Sequence, residues 1–141
     1  MNTRIRDGGC HCGAVRYQAK VPDPLVGGRC NCTICAMKGV VMVNVPLAAL
    51  EVVAGEEHIA CYRFNTMVAK HWFCRECGIH LYHQARSDPD KYGINAATLD
   101  GVCPYGDFPD VNVNDGTRHQ KDHGGEVRSA GRLRFEPRTN E

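Results

Sequence analysis

Short runs of β-branched and aromatic residues recur along the chain and are separated by Gly, Pro, Asn and Asp. Such runs, bounded by turn-forming residues, are typical of β-strands. No window of about a dozen residues repeats its apolar positions at the helical period, so we expect helices of a single turn only, as at VPLAAL. The pattern predicts a mainly β fold of antiparallel sheets with strands at residues 14–19, 40–45, 58–64, 67–73 and 79–84.

The turn residues refine this picture. Asn65 and Thr66 separate two of the runs and predict a hairpin. From Asp100 onward the chain is rich in Gly, Asp and Pro, which favours loops, with one short strand at RLRFEP. A length of 141 residues fits a single domain, 1–141, for which we expect a core at about residues 8–116 and a polar C-terminal segment at 117–141.

Charge and hydropathy exclude two classes of partner. Lys and Arg (17) nearly balance Asp and Glu (16), for a net charge of +1, and no basic block is present, so we expect no nucleic-acid partner. The N-terminal residues lack the apolar segment of a leader peptide, and no stretch approaches the roughly 18 apolar residues of a membrane span. We therefore expect a cytoplasmic protein with no membrane partner and a small-molecule or protein partner.

Cysteine is abundant, with nine residues in the chain. An odd number cannot pair completely as disulfides, and cytoplasmic thiols stay reduced. Clustered cysteines in that setting favour metal binding or thiol chemistry. Seven of the nine fall into three groups, which are Cys10 with Cys12, then Cys30, Cys32 and Cys35, then Cys74 with Cys77.

The first and last groups have complementary spacing. In an extended CxC segment both side chains point to one face, and in CxxC followed by glycine two thiolates converge on a metal. Together they supply four sulfurs, the closed tetrahedral arrangement of a structural zinc. We predict this zinc on Cys10, Cys12, Cys74 and Cys77, with a rubredoxin-like iron as the alternative.

The middle group, CxCxxC, has three sulfurs, as expected for a reactive zinc with an exchangeable fourth position. Three thiolates blunt the Lewis acidity of the metal, which disfavours hydrolysis, whereas a substrate thiol is a natural fourth ligand. We predict a second, labile zinc on Cys30, Cys32 and Cys35 that activates a thiol. A bound substrate thiolate would add a negative charge to this site, which nearby cations such as Arg29, Lys38 or Lys70 could offset.

Several alternatives stay open at this point. The triplet can instead be a redox-active group of thiols, or Cys103 can close it as a fourth ligand. We expect Cys61 to be a small buried apolar residue within a strand. His80 is either a donor close to a metal ligand or an ordinary histidine on a strand, and the loop NDGTRH can fold over the site as a lid.

The motifs GGCHCGAVRY, CNCTIC and FCRECGIHLYHQ, followed by YGINAATLDG, resemble the glutathione-dependent formaldehyde-activating enzyme family, which also contains the centromere protein V domain. The resemblance covers about residues 8–116. It implies a zinc-bound β-tent of antiparallel sheets, a structural zinc on the first and last cysteine pairs and a catalytic zinc on the triplet. Asn31 and Ala36 differ from many members, which have a histidine and a basic residue there.

The activity implied by the resemblance is addition of glutathione to formaldehyde. The product is S-hydroxymethylglutathione, and the class is carbon–sulfur lyase for the reverse direction. We thus expect an enzyme with two zinc ions per chain and a small-molecule thiol partner, with formaldehyde or a related small electrophile as second substrate. The alternative is a zinc-stabilised β-tent binding module without catalysis, which predicts a closed second metal site.

Overall fold

The computed structural model describes residues 2–117 and 127–139. In this part the chain forms strands joined by short turns, together with one α-helix, α1, at Thr33–Lys38. The strands are β1 Thr3–Gly9, β2 Arg16–Pro22, β3 Arg29–Cys30, β4 Met42–Pro46, β5 Leu50–Ala54, β6 Ile59–Tyr62, β7 Lys70–Cys74, β8 His80–Gln84, β9 Lys91–Asn95, β10 Asp110–Asn114 and β11 Ser129–Arg134. Single 3-10 turns lie at Leu47–Ala49, Glu56–His58 and Ala96–Thr98.

The described strands form three sheets. A five-stranded sheet has the order β4-β9-β8-β7-β6, and two three-stranded sheets have the orders β1-β2-β5 and β11-β10-β3. Neighbouring strands are antiparallel except for β3, which pairs in parallel with β10. The mainly β, largely antiparallel fold with few short helices that the sequence predicts is confirmed.

The core lies between the β1-β2-β5 sheet and the five-stranded sheet. On β2 the buried residues alternate with exposed ones, as a strand with one face in the core requires. The β4 valines Val43 and Val45 and Ile94 of β9 are likewise buried. Tyr17 is fully buried, and its hydroxyl hydrogen-bonds to Thr98 Oγ1 at 2.7 Å, which satisfies the polar group inside the core.

Each of the five predicted strands overlaps an observed one, and β6 and β7 form the predicted hairpin, although its loop covers residues 63–69. The predicted strand at RLRFEP corresponds to β11. Strands β1, β3, β5, β9 and β10 and helix α1 were not predicted. Cys61 is exposed rather than buried, because β6 is the edge strand of its sheet. No helix in residues 2–117 and 127–139 is long and apolar enough to cross a membrane.

Candidate metal centres

The four-cysteine cluster is built from two turns of the same kind. One turn follows β1 and carries CHCG, and the other joins β7 to β8 and carries CRECG. In each turn a glycine N–H donates to the carbonyl of the first cysteine, from Gly13 to Cys10 at 3.2 Å and from Gly78 to Cys74 at 2.8 Å. Both glycines have positive φ, 81° and 78°, which glycine adopts without steric cost. The turns aim two pairs of sulfurs at one point.

All four sulfurs of this cluster lie within 4.8 Å of one another. The Cys10 and Cys74 side chains are buried, and each accepts a backbone N–H, from Val15 at 3.2 Å and from Glu76 at 3.4 Å. Backbone donors of this kind favour thiolates. The cluster joins the end of β1 to the β7–β8 turn, and can hold a metal ion between two sheets.

The thiols of this cluster influence one another. An N–H of Ala14 lowers the pKa of Cys12, but the Cys10, Cys74 and Cys77 thiols and desolvation together outweigh it and raise the pKa to about 12. Burial raises the pKa of Cys77, yet hydrogen bonds led by the N–H of Ile79 lower it to about 6. Opposite shifts show that the sulfurs share protons rather than ionise together. A divalent cation replaces those protons when it binds.

The triplet is built differently, from consecutive residues at a strand-to-helix junction. Cys30 ends β3, Cys32 is the N-cap of α1 with extended backbone (φ −61°, ψ 163°), and Cys35 is buried on the helix. The Cys32 N–H donates to Cys30 Sγ at 3.4 Å. The three sulfurs lie within 4.8 Å of one another, so this cluster too can hold a metal ion.

Thiol hydrogen bonds from Cys30 and Cys35 lower the pKa of Cys32 to about 2. The same contacts raise the pKa of Cys35, and the Cys32 contact raises that of Cys30. The three thiols are therefore coupled, and their contacts favour the thiolate at Cys32 over the thiolates at Cys30 and Cys35. Sulfur-only donors in this arrangement suit zinc, which displaces the remaining protons.

The chain after β10 lies directly on the triplet. Asn114 pairs with Cys30 across the parallel strands, and its carbonyl accepts the Asn31 N–H at 3.1 Å. The Asn31 side chain in turn accepts the Gly116 N–H at 2.7 Å. A Cβ added at Gly116 would lie 2.4 Å from Cys30 Sγ and 2.8 Å from the Cys32 Cβ. Glycine is thus required for this close approach.

The first part of the predicted lid, NDGT, therefore covers the triplet, whereas its Arg118 and His119 lie outside the described residues. Asn31, a departure from many family members, holds this segment in place. Gly116 was not predicted as a site residue. Its contact depends on the pairing of β3 with β10, which no local pattern reveals.

A lysine and three histidines lie beside the triplet. Lys38 follows Cys35 by three positions on α1, and residues at this spacing share a helix face. The Lys38 ammonium donates to His71 Nδ1 at 2.7 Å and approaches His80 Nε2 at 3.3 Å. The His71 and His83 rings stack with centroids 5.7 Å apart. The cluster, which we call the Lys–His cluster, consists of Lys38, His71, His80 and His83.

Burial controls the charge of this cluster. It lowers the pKa of His71 and of His83 to about 4, and that of His80 to about 2, with Lys38 adding to each shift. The three imidazoles are therefore neutral at pH 7. Burial also lowers the pKa of Lys38 to about 8, although the Cys35 and Cys32 sulfurs act in the opposite sense.

An irregularity in the sheet brings His80 to this cluster. The β7–β8 register shifts between Trp72 and Phe73, so that Phe73 pairs with His80 while Trp72 pairs with Tyr82. A bulge of this type redirects the side chains beyond it. His80 consequently lies 6.1 Å from His83, centroid to centroid, instead of alternating to the opposite face. In this position His80 accepts a hydrogen bond from Lys38, as a hydrogen-bonded strand histidine does.

A cavity of about 170 Å³ lies at the C-terminal end of α1 and is lined by Lys38 of the Lys–His cluster. Its walls include Arg29, Lys38, Asn95 and Tyr105. A second cleft of about 400 Å³ shares Asn95 and extends past Arg16 towards the four-cysteine cluster. Pockets for drug-sized ligands have volumes of about 300–1,000 Å³. The small cavity therefore suits a few atoms, and the larger cleft suits a peptide-sized ligand.

Two of the remaining predicted residues lie elsewhere. Cys103 is exposed, its N–H donates to Asp107 Oδ2 at 2.7 Å, and it is not among the converging sulfurs of the triplet. Among the described residues, no fourth cysteine therefore joins the triplet. The Arg29 guanidinium donates to the Gly39 carbonyl at 2.9 Å and secures the end of α1.

The model of the family described as "Glutathione-dependent formaldehyde-activating enzyme" matches residues 5–113, which include all seven clustered cysteines. The chain belongs to this family. It is 36% identical over 108 residues to a Halomonas elongata protein named "Putative glutathione-dependent formaldehyde-activating enzyme", which covers 71% of this chain and 69% of that protein. The family resemblance inferred from the cysteine motifs is confirmed.

A solved structure supports the fold of this family member. The crystal structure of a Rhodobacter sphaeroides protein superposes with a TM-score of 0.67 at 44% identity, covering 70% of this chain and 91% of that one. Within this fold the chain has two sulfur clusters, each of which can hold a metal ion.

Proposed function

We propose that this member of the glutathione-dependent formaldehyde-activating family adds a thiol, glutathione or one like it, to formaldehyde or a related small electrophile. In the reverse direction it is a carbon–sulfur lyase. The observation that carries the proposal is a triplet of converging cysteine sulfurs, together with a cavity large enough for a small aldehyde that Lys38 lines at the C-terminal end of the same helix. The family match and the named relative support glutathione and formaldehyde as the substrate pair.

We further propose that both clusters hold zinc. Cys10, Cys12, Cys74 and Cys77 form the closed, structural site, and Cys30, Cys32 and Cys35 form the reactive one. When bound by the triplet, zinc stabilises a substrate thiol as its thiolate. The chain supplies the rest of the chemistry. Gly116 and Asn31 shape the cover of the site, and Lys38 provides positive charge beside the added thiolate.

The cleft that passes Arg16 can accommodate the peptide portion of glutathione, while the smaller cavity accommodates the aldehyde. The two volumes adjoin, because Asn95 and Ala97 line both. We place the enzyme in the cytoplasm, because all nine cysteines are free thiols and the proposed zinc ligands must stay reduced.

Native mass spectrometry of the purified protein, with and without glutathione, tests the proposal. We expect two zinc ions per chain and a glutathione complex. Cys35→Ser should retain one zinc ion and lose the complex, and exchange NMR should show that only the wild type accelerates formation of the glutathione–formaldehyde adduct. The matched control is Cys103→Ser, an exposed cysteine outside both clusters, which should behave as wild type.

A wild-type protein that carries two zinc ions but neither binds glutathione nor alters the rate of adduct formation contradicts the enzymatic proposal. A single zinc ion, unaffected by Cys35→Ser, contradicts the assignment of the triplet as a metal site. That second result supports the alternative of a zinc-stabilised binding module without catalysis.

A further inference from the structure

Two buried histidines of the Lys–His cluster lower the stability of the folded protein. His71 and His83 are each more than nine-tenths buried. Within the part of the chain that the structure describes, His71 Nε2 and His83 Nδ1 have no hydrogen-bond partner. A buried polar atom without a partner costs about 1–3 kcal/mol. Such groups are concentrated where function rather than stability determines the residue.

The histidines fix the orientation of the Lys38 side chain. His71 Nδ1 and His80 Nε2 act as acceptors for two of its N–H groups. His80 can accept at Nε2 because its ring donates elsewhere, to the Trp72 carbonyl. An ammonium group has three N–H donors and a neutral amine has two donors and a lone pair. The third position of Lys38 is therefore left for the cavity that it lines.

The acceptors are imidazoles rather than carboxylates, and this determines what Lys38 can do. A carboxylate would hold the lysine permanently charged, whereas a neutral imidazole hydrogen-bonds equally to an amine and to an ammonium. The ionisable groups facing Lys38 are His71 on β7, His80 and His83 on β8, and Cys32 and Cys35 at its own helix, with Arg29 across the cavity.

We propose that Lys38 is the proton carrier of the addition reaction, taking the proton from the substrate thiol and returning it to the carbonyl oxygen. The inference rests on the proposed function. As the neutral amine, Lys38 accepts the S–H proton. The sulfur electron pair then forms the C–S bond, the C=O π pair moves to oxygen, and the Lys38 ammonium protonates that oxygen. The amine is regenerated, so no proton, electron or further reactant is consumed.

The energetics suit this role. A general acid–base group works best when its pKa is near the operating pH, and burial lowers the pKa of Lys38 to about 8. An ordinary thiol has a pKa of about 8.5, and zinc on the triplet would lower it, so transfer of the thiol proton to Lys38 is favourable. His71 and His80 are positioning residues in this scheme, because they hold Lys38 and do not themselves exchange the proton.

Substitution by arginine separates a proton carrier from a fixed charge. Lys38→Arg keeps the positive charge but cannot be deprotonated in a protein. Lys38→Met removes the charge and preserves the apolar stem. We expect both variants to retain two zinc ions and the glutathione complex by native mass spectrometry, and both to lose at least about 100-fold in the rate of adduct exchange, as is typical of a lost general acid–base group. Lys20→Met, at an exposed lysine of β2, is the control and should leave the rate unchanged.

The pH profile of the reaction supplies a readout that a structural role would not change. The wild-type rate should rise through a midpoint near the Lys38 pKa, and NMR of lysine labelled at Cε should show Lys38 titrating with that midpoint in the zinc-loaded protein. Lys38→Arg should lose this rise in rate.

If Lys38→Arg retains the wild-type rate within threefold, Lys38 is a fixed charge and the inference is wrong, while the proposed function stands. If the wild type itself does not accelerate the exchange, the proposed function fails, and the role of Lys38 in it fails as well. These outcomes are distinguishable in a single series of rate and zinc measurements.

Discussion

The two cysteine clusters use the same ligand atom but have different surroundings. Around the four-cysteine cluster the contacts are other sulfurs and backbone N–H groups, supplied by two matching turns more than 60 residues apart in sequence. Around the triplet lie a lysine, three histidines and a tightly packed glycine. If the two clusters have the proposed structural and reactive roles, their local surroundings distinguish them more than their ligand atoms do.

The strongest test of this comparison is loss of the four-cysteine cluster. Cys74 is fully buried at the end of β7, and we expect Cys74→Ser to lower the free energy of unfolding by more than about 4 kcal/mol, because metal binding there contributes directly to folding. Urea unfolding with zinc quantification measures this. Cys61→Ser, at an exposed cysteine outside the clusters, should change stability by under about 0.5 kcal/mol. Equal effects of the two substitutions would remove the structural role.

A second test concerns the buried histidines beside the triplet. Burial, reinforced by Lys38, lowers the pKa of His71 and of His83 to about 4. In the unfolded chain histidine titrates near pH 6.5, so between about pH 6.5 and 4 the unfolded state binds more protons than the folded one. The free energy of unfolding should keep its full value above pH 6.5. It should fall as the pH drops to 4, by up to about 3 kcal/mol for each ring.

Histidine NMR and urea unfolding across this range measure the effect, with zinc content followed at each pH so that metal loss is recognised. Lys38→Met should make the fall in stability shallower, because the lysine charge contributes to both shifts. Titration midpoints close to 6.5 for His71 and His83 would contradict the expected burial of neutral rings.

The cover of the triplet gives a smaller and more local effect. In Gly116→Ala the new methyl group collides with Cys30 and Cys32, and we expect zinc affinity at the triplet to fall by at least about tenfold, or about 1.4 kcal/mol. The four-cysteine site should keep its zinc, as competition with a chelator can show. The matched control is Gly106→Ala, where the added Cβ has no atom within 4 Å. Simultaneous loss of both zinc ions would mean that the two clusters do not behave independently.

The smallest effect is expected at the surface near the four-cysteine cluster. Arg16 and Asp100 form a two-pronged ion pair, but both side chains are exposed, so water and salt screen it. Asp100→Asn should reduce stability by less than about 1 kcal/mol and leave zinc content unchanged. A larger loss, read from urea midpoints at low and high salt, would show that side chains around this cluster contribute more than the comparison allows.

Cysteine spacing allowed both clusters to be predicted, because each pair or triplet is set by a few consecutive residues. Strands β2 and β4 could be predicted equally well, since the alternation of their apolar residues is local. Strand β1 was missed because TRIRDGG is mostly polar and exposed. Helix α1, with only six residues, is too short to show a helical period.

The parts of the site that could not be predicted depend on tertiary structure. His80 reaches Lys38 because the β7–β8 register shifts by a bulge, which the alternation of the sequence conceals. Gly116 meets Cys30 because two strands far apart in sequence pair in parallel. Cys61 was expected to be buried, but edge or central position in a sheet is decided by strand order rather than by the strand itself.

The parallel pairing of β3 with β10 has a consequence for how the site can be altered. The family match ends at residue 113, and the next three residues are those that approach the triplet. The cover of the triplet thus lies just beyond the matched region and contains none of the seven clustered cysteines. Substitutions at Asn114 and Asp115 can therefore change what lies over the triplet without removing a cysteine, and for the proposed enzyme they are the place to begin altering substrate choice.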